Sequence, residues 1–222
     1  APAAGYVRVR ASLPSRAAAM ILQRRTAVAL LLAALALTSH AATGAAPASS
    51  PTARVQSAVS EVVGVLKDET LDREMRWERI GMVINRSFDF EAMSQSVLAT
   101  NWRKASPAER ERFVDFFSQY LEDTYRTKIE GYTDQEIRYT GETVRDDRAT
   151  VDTVIVSGST EIPVTYRLRL EGGEWYAYDV VIEGASLVNT YRETFSAIVR
   201  AEGMDGVLAD LAPVVLDAPD DP

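Results

Sequence analysis

The chain has 222 residues, and its 32 acidic side chains outnumber the 24 lysines and arginines, which gives a formal net charge of −8. An acidic surface repels nucleic acid and anionic headgroups, so the charge argues against DNA or RNA binding and against stable adsorption to a membrane surface. The absence of cysteine excludes disulfides and thiol redox chemistry.

The amino-terminal segment has the pattern of an export signal. Met20 opens a short basic stretch that contains Arg24 and Arg25, and Thr26–Leu37 are almost entirely Ala, Leu and Val. A charged start, an apolar core and a small-residue site, in this order, are typical of a signal peptide, and a core of about a dozen residues is too short to span a bilayer. The arginine pair also resembles a twin-arginine signal, but its flanking residues favour the general secretory route.

We therefore expect a signal peptide over residues 20–42, cleaved after Ala41 or Ala42, and an upstream segment over residues 1–19 without a structural role. Cleavage removes five arginines and no acid, which leaves 19 basic against 32 acidic residues and a net charge of −13. It also removes His40, the single histidine. Without histidine and cysteine, Ser-His-Asp and Cys-His catalysis and ordinary zinc sites are excluded from the mature chain.

The first part of the mature chain predicts helices, after a linker over residues 43–52 that is rich in Ala, Ser and Pro. Apolar residues recur at helical spacing in four segments: 53–69, 72–86, a shorter one from Asp89, and a long one from Ser106 to about Ile129. Ser106-Pro107-Ala108-Glu109 is a capping box with proline at the first helical position, which is a strong start signal. Trp102-Arg103, just before it, is interpreted as a packed hinge.

From Gln135 the apolar period changes from helical to alternating, which predicts β-strands. The four expected strands cover Ile137–Thr140, Ala149–Ser157, Val164–Leu170 and Trp175–Ile182. Short turns rich in Gly and Asp separate them, so consecutive strands are expected to pair antiparallel as a meander. Pro163 cannot donate to a ladder and is therefore placed at the start of the third strand.

Helical spacing returns from Ser186 to about Ala201 and again over Met204–Leu211, before an acidic tail at residues 215–222. The fold class predicted is α+β, with an antiparallel four-stranded meander sheet packed against several helices in one domain over residues 53–214.

Two stretches carry a resemblance to a known family. "WYAYDVVIEGASLVNTYRETF", residues 175–195, resembles the signature of the MlaC family of periplasmic phospholipid-binding proteins, the toluene-tolerance auxiliary components of an ABC transporter. "FDFEAMSQSVLATNWRKASPAERERFVDFFSQYLEDTY", residues 88–125, is similar to the same family in its Phe-Asp start, its Trp-Arg pair and its aromatic long helix. Ala185 and Thr190 depart from the Val and Asn expected there, and these small differences do not affect the resemblance.

The resemblance implies a non-enzymatic periplasmic carrier, a monomer that holds phospholipid tails in an apolar cavity between sheet and helices. Such a protein shuttles lipid between an outer-membrane lipoprotein complex and an inner-membrane ABC transporter, which maintains outer-membrane lipid asymmetry, and it needs no cofactor or metal. The expected lipid-binding residues are Phe88, Met93, Val97, Phe113, Phe117, Tyr120, Tyr125, Val164, Tyr166, Leu168, Val180, Ile182, Leu187, Tyr191 and Phe195. Two acyl chains hold on the order of 30 methylenes, so their exposure to water costs roughly 25 kcal/mol.

Other interpretations of these residues remain open. By composition alone, the aromatic stripe over residues 113–120 is ordinary core. Arg192 could reach a lipid phosphate, but an ion pair with Asp179 or Glu183 is favoured. Asp179 could be the base of the alternative function, a carboxylate-based cavity enzyme acting on a small apolar substrate; an anchor for a helix or loop through backbone amides is favoured instead.

Overall fold

The computed structural model describes residues 49–132 and 135–212. The predicted upstream segment, signal peptide and acidic tail, together with most of the linker, lie outside the described residues.

Five α-helices are present in the described part of the chain. They are α1 (Pro51–Lys67), α2 (Arg73–Ser87), α3 (Phe90–Leu98), α4 (Pro107–Glu130) and α5 (Leu187–Leu211), and a 3-10 turn at Ala99–Asn101 follows α3. The predicted capping box begins α4: the Ser106 hydroxyl accepts a hydrogen bond from the Glu109 N–H at 3.3 Å, and the Glu109 carboxylate accepts one from the Ser106 N–H at 2.7 Å. Ser50, Asp72, Asp89 and Ser186 cap the other helices, and the side chain of each accepts a hydrogen bond from a backbone N–H of the first turn. Helix starts are therefore determined locally.

The last helix contains the interruption that the sequence predicts between Ala201 and Met204. Gly203 has φ 72° and ψ −168° within α5. This conformation is nearly restricted to glycine, because a Cβ atom would clash with the backbone. α5 is consequently two helical segments joined at Gly203.

The described residues form a sheet of five strands, so the prediction of four is wrong by one. The strands β1 (Glu136–Arg145), β2 (Arg148–Ser157), β3 (Thr160–Glu171), β4 (Glu174–Ile182) and β5 (Ala185–Ser186) pair antiparallel in chain order. The additional strand arises because Glu183 and Gly184 both have positive φ, at 49° and 83°, and form a tight hairpin. Two residues are too few to show an alternating pattern.

Pro163 lies inside β3, opposite Val154, and not at its start as predicted. Its carbonyl accepts a hydrogen bond from the Glu183 N–H at 2.9 Å. The backbone nitrogen of a strand residue points toward the same neighbouring strand as its carbonyl. For Pro163 this neighbour is β4, which ends at Ile182. The missing N–H therefore breaks no ladder bond.

One face of the sheet packs against the helices and forms a continuous hydrophobic core with them. Val151 and Ile155 of β2 and Val164 of β3 are fully buried there, as are Phe113 and Phe117 of α4. The junction between α2 and α3 lies along the edge of β4 that faces away from β3: Phe88 bridges Ala177, and the Asp89 N–H donates to the Ala177 carbonyl at 2.8 Å. This contact holds α2 and α3 against β4.

Candidate functional site

An apolar pocket with a volume of about 110 Å³ lies between the helices and β4. Its walls come from α1 to α4, β4 and the first residue of α5, and their side chains are apolar except for Glu122 and the hydroxyl of Tyr125. The lining residues are Val62, Ile84, Phe88, Phe90, Met93, Leu121, Glu122, Tyr125, Ile129, Val180, Ile182 and Leu187. Such a surface can contact hydrocarbon but offers almost no hydrogen bonds.

The pocket is much smaller than the cavity expected from the resemblance. An apolar cavity of roughly 150 Å³ holds one benzene ring, and ordinary ligand sites begin at roughly 300 Å³. Two acyl chains do not fit a volume of 110 Å³. The predicted enclosing cavity is therefore not shown within residues 49–132 and 135–212, because large side chains fill the space between sheet and helices.

The structure places the predicted lipid-binding residues in three groups. Six line the pocket: Phe88, Met93, Tyr125, Val180, Ile182 and Leu187. Five form an aromatic cluster between α4 and α5: Phe113, Phe117, Tyr120, Tyr191 and Phe195. Four are buried on α3 and β3 away from the pocket: Val97, Val164, Tyr166 and Leu168.

The aromatic cluster is tightly packed. The Phe117 ring meets Tyr191 edge to face at 5.3 Å between centroids, and it contacts Phe113 at 5.4 Å and Phe195 at 5.7 Å. These separations are those of favourable aromatic pairs, each worth roughly 0.5–1.5 kcal/mol beyond its burial. The aromatic stripe of α4 thus packs onto α5 as core.

Three tyrosine hydroxyls converge beside the pocket wall. The Tyr191 hydroxyl is buried without a hydrogen-bond partner of good geometry in the described part of the chain, although the hydroxyls of Tyr120 and Tyr125 lie close to it. Burial raises the pKa of Tyr125 to about 12 and raises the pKa of Tyr191 further. All three phenols are therefore neutral at physiological pH.

Asp179 anchors the start of α5, as predicted. Its side chain is 2% exposed and accepts hydrogen bonds from the Ser186 hydroxyl at 2.7 Å and the Val188 N–H at 3.1 Å. Arg167 completes the arrangement with an ion pair at 2.9 Å. With three donors, this carboxylate is occupied as a structural anchor.

The ion pair predicted for Arg192 does not form. Its Nε donates to the Ser96 carbonyl at 2.9 Å, and Nη1 donates to the Asn189 side chain at 3.1 Å. Arg192 therefore links α5 to α3, while Asp179 is satisfied by Arg167. Trp102 is buried as expected, under the guanidinium of Arg110.

Polar side chains join α2 to α4 beside the pocket, and one of them, Glu122, also lines it. The contacts are Arg73 to Glu130 at 2.9 Å, Arg126 to Glu74 at 3.2 Å and Asn85 to Glu122 at 3.1 Å. Burial raises the pKa of Glu122, the hydrogen bond from Asn85 opposes this shift, and Asp123 adds to it. The α2–α4 contact is polar, whereas the pocket behind it is apolar.

Half of the pocket lining was missed by the sequence prediction, namely Val62, Ile84, Phe90, Leu121, Glu122 and Ile129. Val62 and Ile84 occupy the inward stripes of their helices, so helical spacing could have suggested them. Glu122 had no such signal, because a charged residue on a helix is ordinarily assigned to the solvent face.

Comparison with known proteins decides the family. The model of the family described as MlaC protein matches residues 56–213. The chain belongs to the MlaC family. Among the residues that the structure describes, this MlaC-family chain has no helix with the length and apolar character needed to cross a membrane.

The relatives agree with this assignment. The toluene tolerance protein ttg2D of Pseudomonas putida is 26% identical over 193 residues, which are 84% of this chain and 87% of the relative. The intermembrane phospholipid transport system binding protein MlaC of Haemophilus influenzae is 23% identical over 129 residues, 55% of this chain and 60% of the relative.

A solved structure shares the MlaC-family fold seen here. It is a phospholipid-binding protein from Ralstonia solanacearum in complex with a phospholipid, and it aligns with a TM-score of 0.68 at 21% identity. The alignment covers 73% of this chain and 95% of the solved one.

Proposed function

We propose that this protein is a periplasmic phospholipid carrier that takes the acyl chains of its cargo between the helices and β4. The observation that carries the proposal is the apolar pocket at this place, in a fold shared with a protein solved in complex with a phospholipid. An apolar interior makes the transfer of a lipid from a bilayer nearly neutral, while its polar headgroup stays in water.

Loading requires the pocket to widen. At 110 Å³ it cannot hold the chains of a phospholipid, so its walls must separate as the cargo enters. Each polar pair of the α2–α4 contact has one exposed member, Arg73, Glu74 or Asn85, and such pairs contribute little stability individually. Its polar groups regain water when they part, so we expect the widening to occur here. The six predicted residues that line the pocket would then contact the chains first.

We propose further that the protein is a monomer that shuttles lipid between an outer-membrane lipoprotein complex and an inner-membrane ABC transporter, and so maintains outer-membrane lipid asymmetry. The description of the Haemophilus relative as the binding protein of an intermembrane phospholipid transport system supports this role. The cost of roughly 25 kcal/mol for exposing two acyl chains to water supplies the physical need for a carrier.

The contacts of Asp179 argue against the alternative of a carboxylate-based enzyme. A general base needs a lone pair directed at substrate, but the Asp179 oxygens accept from Arg167, Ser186 and Val188. No observation on the described residues favours that alternative over the carrier.

The proposed function is tested by identifying the molecule that the purified protein carries. The mature protein is purified without detergent, and native mass spectrometry and solvent extraction then determine what it carries. We expect a phospholipid on each chain, because bound lipid could leave into detergent-free buffer only by exposing its acyl chains to water, at a cost of roughly 25 kcal/mol. Folded preparations that repeatedly contain no lipid, and that take none up from vesicles, would contradict the proposed function.

A further inference from the structure

A groove of about 400 Å³, lined by both aromatic and polar side chains, adjoins the apolar pocket. Phe88 and Phe90, whose rings stack at 5.7 Å, line both the groove and the pocket. Asn85 of the groove donates a hydrogen bond to Glu122 of the pocket. Groove and pocket therefore share a wall, so a molecule whose chains enter the pocket past Phe88 and Phe90 would have its polar end in the groove.

The groove combines aromatic rings with carboxylates. Phe88, Phe90 and Tyr176 supply the rings, and Asp89 and Glu171 supply the negative charges. No basic side chain is part of the groove lining in the described structure. Aromatic faces and carboxylates together attract ammonium groups, through cation–π and direct electrostatic interaction.

Two arginines near the groove already have partners. Arg169 forms ion pairs with Asp89 at 2.8 Å and with Glu171 at 2.7 Å. The Arg54 guanidinium donates to backbone carbonyls and lies 5.7 Å from the centroid of Tyr176, so this ring already accepts a cation. Asp89 is 12% exposed and also caps α3, so Glu171, at 58% exposure, is the carboxylate that an added ammonium can reach and that an added anionic group would meet.

We propose that this groove binds the ammonium group of a zwitterionic phospholipid headgroup, ethanolamine or choline, and thereby disfavours anionic phospholipids. The inference rests on the proposed function, because it assigns the headgroup of a lipid whose chains occupy the adjoining pocket. The groove supplies selectivity, and the pocket supplies most of the affinity.

The experiment is a competition between headgroups. The protein is incubated with vesicles of equimolar phosphatidylethanolamine and phosphatidylglycerol that have identical acyl chains, repurified, and analysed by native mass spectrometry. A second vesicle replaces the ethanolamine lipid by phosphatidylcholine and shows which ammonium headgroup is preferred. We expect the ammonium lipid to exceed phosphatidylglycerol roughly two- to fivefold in at least one vesicle.

A matched pair of variants separates the effect of the groove on the lipid ratio from the effect of the overall charge. Glu171→Lys places a positive charge in the groove, while Glu161→Lys makes the same change at the other end of β3. The two side chains are 58% and 60% exposed, and each pairs with an arginine of the sheet. Glu171→Lys should bring the ratio to one or below, and Glu161→Lys should leave it at the wild-type value.

Three outcomes overturn the proposal. Equal loading of both lipids by the wild type refutes the groove but leaves the carrier function standing. An equal effect of Glu161→Lys and Glu171→Lys assigns the preference to net charge and not to the groove. If no phospholipid of either kind loads, the carrier function itself fails, and the groove assignment fails with it.

Discussion

The Asp179 carboxylate accepts a hydrogen bond from the Val188 N–H at 3.1 Å and so ties the end of β4 to the first turn of α5. The Ser186 hydroxyl, which caps α5 by accepting from the Asn189 N–H at 3.1 Å, donates to the same carboxylate at 2.7 Å. A buried negative charge at a helix N-terminus also interacts favourably with the helix dipole. One side chain therefore sets the position of α5 relative to the sheet.

Replacing this anchor should destabilise the fold. Asp179→Ala leaves the Ser186 hydroxyl, the Val188 N–H and Arg167 without their acceptor, so we expect the free energy of unfolding to fall by about 2–4 kcal/mol. Asp179→Asn keeps an acceptor and should cost less. Urea denaturation measures both, with Asp123→Ala, an exposed acid on α4, as the control. A loss for Asp179→Ala no larger than that of the control would show that the anchor contributes nothing.

A charge in the pocket should reduce lipid loading. Ile84 lines the pocket on α2, and its half-buried position allows an aspartate to be accommodated in the folded protein. Ile84→Asp would place a carboxylate against acyl chains, at a desolvation cost of several kcal/mol, so lipid per chain should drop severalfold. Met82→Asp is the matched control on the same helix, since Met82 is 57% exposed and does not line the pocket. Native mass spectrometry of both variants gives the comparison, and full occupancy in folded Ile84→Asp would refute the pocket as the lipid site.

Alanine substitution at two glycines should change the free energy of unfolding in opposite directions. Gly203, at φ 72° and ψ −168°, has a conformation that alanine adopts only with strain, so Gly203→Ala should lower the free energy of unfolding by about 1–3 kcal/mol. Gly64 lies within α1, where an added Cβ would have no neighbour within 4 Å. Gly64→Ala should therefore stabilise by about 0.5–1 kcal/mol. Thermal melting of the two variants tests this, and a stabilising Gly203→Ala would contradict the interruption of α5.

The α2–α4 contact should weaken in acid. The hydrogen bond from Arg73 lowers the pKa of Glu130 below its usual 4.5, burial opposes this shift, and Arg126 adds to the lowering. A carboxylate whose pKa is lowered on folding stabilises the protein above its usual pKa and loses this contribution as pH falls through the lowered value.

Glu130→Gln should therefore cost up to about 1 kcal/mol at neutral pH and progressively less below about pH 4.5. Denaturation curves measured across this pH range give the difference from the wild type. Glu111→Gln, at an exposed position on the same helix, should show no such dependence on pH. A Glu130→Gln deficit that persists unchanged in acid would exclude the ion pair as its cause.

Local features of the sequence determined most of the elements. The Ser106 capping box begins α4, the interruption at Gly203 divides α5, and alternation predicts the four long strands, because each of these depends on residues within a few positions of one another. The anchoring role of Asp179 was also expected, since an acid in an apolar strand must find donors nearby. The quoted motifs indicated the MlaC family before the fold was known.

Contacts between residues distant in sequence decided the features that local patterns did not predict. The strand β5 exists because a two-residue segment finds β4 beside it, and Pro163 is tolerated within β3 because β4 ends at that level. Arg192 bonds to Ser96, 96 positions away in sequence, and to its neighbour Asn189, because Asp179 is already paired with Arg167.

The size of the pocket is the property that depends most clearly on the tertiary structure. Helical spacing identifies the inward side chains, but the space left between them depends on how six elements pack, from Val62 in α1 to Leu187 in α5. A shift of about an ångström between packed layers opens or closes such a space, and no pattern within one helix or strand is sensitive to it. The sequence alone therefore determined which surfaces are apolar, and only the tertiary structure decided how far apart they stand.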